Sequence, residues 1–134
     1  MNKKQIDQLV QQMENYLECW KQFSHYLDLA RTKKFGPEDE SQFLEIKSVL
    51  TQELELILSV VDYGTPTRDE IQGLVSSAPS IRFLSELTEG SLRSLENQWH
   101  KIFINWQSIL GQLKVQQHET RSQSFWYSFF HRSK

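Results

Sequence analysis

Apolar side chains at Ile6, Leu9, Met13, Tyr16, Trp20, Phe23, Leu27 and Ala30 stand alternately three and four residues apart. Only a helix gathers that spacing into one stripe, because about 3.6 residues complete a turn. A strand would scatter the same residues over both faces. Sustained along a whole segment, the alternation is the seam of a helix packed against others at a shallow angle. No Gly or Pro interrupts it, and the spacing predicts one helix over residues 3–34.

Gly36-Pro37 ends that helix and starts another. Pro suits the first helical position, and Glu38, Asp39 and Glu40 set negative charge at the positive end of the helix dipole. Phe43, Ile46, Leu50, Leu54, Ile57 and Val61 form the next stripe, with Gly64 expected as its C-terminal cap. Leu44, Leu56, Leu58 and Val60 widen the stripe, which predicts cover on more than one side. Thr67 and Glu70 match a capping box ahead of Ile71, Leu74 and Val75, a short helix closed by Ser76-Ser77-Ala78-Pro79. Pro79 is then expected in the first turn of a last long helix. Its apolar positions are Ile81, Leu84, Leu92, Leu95, Trp99, Ile102, Trp106, Ile109 and Leu113, with Phe103 and Leu110 beside them. Gly90 lies inside this run, either bridged or kinked, and the helical signal fades near Gln117.

The fold class these segments imply is all-α. Its expected form is an antiparallel helical bundle of three long helices plus one short helix, with heptad-like seams and an aromatic C-terminal tail. At 134 residues the bundle fits one domain. Residues 1–117 are expected to form it, and residues 118–134 to form the tail. The loops are short, which makes neighbouring helices antiparallel. A single cysteine, Cys19, sits inside an apolar pattern and reads as a small, part-buried side chain. With one cysteine, no apolar run of roughly 18 residues and no signal-like opening, the expected address is cytoplasmic.

Net charge is −2, unevenly placed: residues 36–64 carry seven acidic groups and one basic, residues 101–134 five basic and one acidic. The basic groups are too sparse for a nucleic-acid footprint. Chemistry is equally thin. A di-iron bundle needs Glu-x-x-His pairs, and His25, His100, His118 and His131 have no Glu three residues before them. Glu96/His100 and His25/Asp28 have the spacing of surface pairs. No Gly-x-Ser-x-Gly elbow, no Gly-rich phosphate loop and no base beside Cys19 is present. Glu53/Glu55 and Glu38/Asp39/Glu40 lie off the apolar faces that would raise a carboxyl pKa. Trp20, Phe23, Trp99 and Trp106 occupy seam positions and read as core, not as a ligand cage. The expectation is therefore no enzyme, no cofactor and no metal.

One stretch does not fit a self-contained bundle. Phe125-Trp126-Tyr127-Ser128-Phe129-Phe130 is aromatic at five of six positions. In helical register, positions 125, 126, 129 and 130 share a face. Each such ring can bury on the order of 150–250 Å², so together in water they exceed what monomers usually expose. They either fold back on the bundle, anchor in a partner's groove or lie at a membrane interface. Phe125, Trp126, Tyr127, Phe129 and Phe130 are the candidate partner-binding residues. The function expected is a non-enzymatic protein–protein interaction module: a small adaptor, a chaperone or a subunit of a larger assembly, with another protein or itself as partner. The alternative is a peripheral membrane protein anchored by the aromatic segment. A bundle holding a small molecule or metal comes third.

Overall fold

The structure, a computed structural model, describes the backbone of residues 2–61 and 63–132, with side chains through residue 120. Among the described residues it is helical without strands: α1 (Lys3–Thr32), α2 (Pro37–Leu58), α3 (Arg68–Ser76), α4 (Ile81–Ser85) and α5 (Glu89–Arg132). All eight seam residues of α1 are buried, joined by Val10, Leu17 and Tyr26. All six of the second stripe are buried too. On α5 the residues Leu92, Leu95, Ile102, Trp106, Ile109 and Leu113 are buried, while Trp99, Phe103 and Leu110 pack at the margin.

Helix ends follow their caps. Asn2 accepts from the Gln5 amide at 2.8 Å while Gln5 returns the bond to the Asn2 amide at 3.0 Å, a full capping box opening α1. α1 closes at Lys33, which takes the left-handed φ of 58°. Pro37 does occupy the first position of α2, and Asp39 accepts from the Gly36 amide at 2.8 Å. Thr67 caps α3 through the Glu70 amide, but Glu70 turns back only to the Thr67 hydroxyl, so one arm of the expected box is missing.

Three expectations are corrected. Gly64 does not cap α2: the helix ends at Ser59, and Gly64 serves the following loop with φ of 82°. The last long helix does not begin at Pro79. Ser80 caps the five-residue α4 by accepting from the Phe83 amide, the chain breaks over 86–88, and the Thr88 hydroxyl accepts from the Ser91 amide where α5 starts. Gly90 thus lies in the first turn of α5, neither bridged mid-helix nor kinked. Finally, the α5 backbone continues past Gln117 to Arg132 although the apolar period stops.

α1 is central and touches α2, α4 and α5, whereas α3 packs on α2 and α5. Against α2 the contacts run in opposite order: Gln12 with Glu53, the Tyr16 hydroxyl with the Leu50 carbonyl, Tyr26 with Gln42. Against α5 they do so again, from Asp7 with Gln117 and Glu14 with Lys114 to Arg31 with Glu96 and Glu89. Between these ends an aromatic file fills the interior. Tyr16 stands edge-on to Trp20 and Trp106, Trp20 meets Phe23, and Phe23 and Tyr26 meet Phe43. The Trp99 indole donates to the Trp20 carbonyl at 2.8 Å and stacks on Phe103. Trp20, Phe23 and Trp106 are therefore core, as their spacing predicts, and Trp99 is its part-exposed margin.

Candidate docking surface

The period that makes α1's seam also makes a second strip, displaced round the helix: Gln5, Gln8, Gln12, Asn15 and Cys19, again three and four apart. Four of these five carry amides, which neither seek the core nor bring charge. α2 presents a matching strip of Glu45, Val49, Glu53 and Leu56, continued by Val60 in the turn that follows the helix. The strips face each other, and the Gln12 amide donates to Glu53 at 3.1 Å across them. Between them lies an open hollow of about 440 Å³ lined by Gln8, Gln12, Tyr16, Cys19, Val49, Glu53 and Leu56. A second hollow of about 240 Å³, sharing Gln8 and Gln12, carries it on past Gln5 to Val60.

This groove holds apolar side chains in water. Leu56 is 57% exposed and Val60 54%. The second cover that the wide stripe of α2 predicts is thus absent over Leu44, Leu56 and Val60 within the described chain, and only Leu58 is partly packed. The floor is chemically quiet. Burial first, then the carboxylates of Glu53 and Glu18, push the Cys19 thiol above its ordinary range, leaving it protonated at neutral pH and a poor nucleophile. The buried Tyr16 phenol is likewise pushed up by loss of solvent and stays neutral, its hydroxyl donating to the Leu50 carbonyl at 2.8 Å.

Other hollows serve other ends. One of about 580 Å³ between α1 and α5 is lined mainly by charged and amide groups, with Lys114 reaching Glu14 at 3.3 Å across it. At the far end of α1, Arg31 gathers Glu96, Glu89 and Asp28 beside His100 and Trp99. The hydrogen bond to Glu96 is the main reason its guanidinium holds its proton more tightly than usual. That cluster clasps α1 to α5 around a shallow hollow of about 410 Å³. Among the described residues no group of three or more His, Cys, Asp or Glu is placed to hold a metal, and no helix is long and apolar enough to cross a membrane. The buried Trp20 and Trp106 indole N–H groups have no hydrogen-bond partner within the described structure, and the Trp106 ring borders a hollow of about 370 Å³ that Thr65, Thr67 and Arg68 also line.

Phe125, Trp126, Tyr127, Phe129 and Phe130 fall in the last stretch of α5, and their side chains lie outside the described residues. Of the groove residues, Leu56 and Val60 are marked in the sequence as extra apolar positions and Cys19 as part-buried, but nothing in the sequence gathers them into one groove. The available signal was the amide strip at seam spacing on the first helix, lying opposite the extra apolar column of the second. No protein-family model, no curated protein and no solved structure matches the chain.

Proposed function

We propose that this chain is a non-enzymatic protein-interaction module, a three-helix antiparallel bundle that acts as an adaptor, chaperone or assembly subunit. The observation that carries the reading is the α1–α2 groove, where Val49, Leu56 and Val60 stay exposed beside a line of neutral amides. Exposed apolar side chains gathered in a groove with a polar rim are the usual anatomy of a protein contact. The protonated thiol and the absence of any poised acid–base pair in the groove favour binding over turnover. The aromatic segment of α5 supplies the complementary element, a helix bearing ring anchors of the kind that lies in such grooves.

Affinity purification from native extract tests this, comparing the full chain, a chain ending at Gln123 and the groove variant Leu56→Glu. Each is first shown to melt cooperatively. A protein retained by the full chain and lost from either altered form is the expected result. Identical captured material from all three chains overturns the reading. Recovery of the full chain only with anionic vesicles, dependent on residues 124–134, transfers the aromatic segment to a membrane-surface role.

A further inference from the structure

We infer that the occupant of the α1–α2 groove is the C-terminal arm of α5 from a second copy of this chain, exchanged reciprocally in a two-fold dimer. The inference rests on the interaction reading above and names its partner.

Direction is the first argument. α5 runs opposite to α1, and Gln117 donates to Asp7 at 2.8 Å, within the second turn of α1. The α5 backbone continues as one helix to Arg132. With Gln117 opposite Asp7, residues 118–121 draw level with the start of α1, and residues 122–132 run on past it, away from the groove of their own chain, which lies alongside residues 5–19. An unbroken helix does not turn back, so an arm of this geometry meets such a groove only on another copy.

Length is compatible. The backbone that runs beyond the start of α1, residues 122–132, spans about 15 Å at about 1.5 Å per residue, which fits within the roughly 21 Å of α1 from Gln5 to Cys19. Charge agrees as well. The arm is basic, with Arg121 and Arg132 flanking the aromatic run and Glu119 its one acid. The groove offers it one carboxylate, Glu53, the sole acid among the residues that line its two hollows. Glu53 takes a neutral amide donor from Gln12, which leaves its charge intact.

Area is sufficient. The four aromatic residues that share one helical face, at positions 125, 126, 129 and 130, can each bury about 150–250 Å², and two arms together clear the roughly 1,000 Å² that a specific interface needs. Two-fold symmetry follows because each copy carries both an arm and a groove, and they lie at the same end of the molecule.

The test is sedimentation velocity on the full chain over a wide concentration range. Two variants accompany it: Trp126→Ser with Phe130→Ser in the arm, and Leu56→Glu with Val60→Glu in the groove. All three are first matched by circular dichroism and by melting at dilute concentration. The expected result is a reversible dimer, weakened by added salt and weakened roughly thirtyfold or more by either variant, as loss of an interface hot spot does. Mixing the two variants is expected to restore association, because a mixed pair keeps one intact arm on one intact groove.

A monomer at every concentration overturns the inference, as does a dimer indifferent to the groove variant or a mixture that stays monomeric. Its failure is separable from that of the broader reading. If the chain is monomeric but still loses an extract protein when residues 124–134 are removed, the second copy is wrong and the interaction module stands. If nothing bound depends on arm or groove, both fall.

Discussion

Single side chains in the aromatic file carry unequal duties. Trp106 is 1% exposed and stands edge-on to Tyr16 at 5.4 Å. Trp106→Ala should cost about 3–5 kcal/mol in a denaturant melt, the range for emptying an aromatic core site. A loss within about 0.5 kcal/mol, typical of a surface change, would contradict its core placement. Tyr16 is legible in the sequence as a seam position, but its polar end is not: the hydroxyl's partner is the Leu50 carbonyl, a backbone atom with no sequence signature. Burial raises its pKa above the ordinary value of 10.0. A raised value means the folded chain holds this proton more tightly than the unfolded one. The linked stability is therefore complete below about pH 10 and lost as pH climbs beyond it. Tyr16→Phe should cost about 1 kcal/mol at neutral pH, yet show a shallower alkaline fall in Tm than the parent. Parallel alkaline limbs in the two chains would refute that. Lys33 holds a left-handed φ that a side chain disfavours, and Lys33→Gly should raise stability by about 0.5–1 kcal/mol, read as a higher denaturant midpoint.

At the scale of elements, α1 and α2 were legible because period, uninterrupted composition and Pro37 all agree. The failures lie where those signals diverge. Residues 81 and 84 continue the apolar spacing toward Leu92, so the pattern alone runs one helix across 86–88. Ser80 and Thr88 divide it, each with a hydroxyl that takes the amide three residues on. Local capping outweighs a period that spans only a few turns. Glu40 adds a tertiary cap, accepting from the Ile81 amide across 41 residues of sequence, which no local reading can supply. Thr88→Ala should cost about 0.5–2 kcal/mol by chemical denaturation, with the loss confined to the start of α5 in amide exchange. Gly111, mid-way along α5, has open space where a Cβ would stand. Gly111→Ala should stabilise by about 0.5–1 kcal/mol, and a lower Tm would show that α5 is not a regular helix there.

For the whole molecule, the sequence conveys the helical class and most of the core, since both depend on periodicity. The groove was harder to see: its two walls come from different helices, and only their alignment places Gln12 beside Glu53. That α1 lies centrally, with α2 and α5 on different sides of it, has a further consequence. The link from Asp7 to Gln117 closes a span of 110 residues, whereas α1 and α2 are joined by a short turn. Non-local closure is entropically slow, and neighbouring helices associate first. During synthesis α1 and α2 are made before α5, so the flank of Tyr16 and Trp20 that receives Trp106 and Trp99 has no native cover until the last third of the polypeptide arrives.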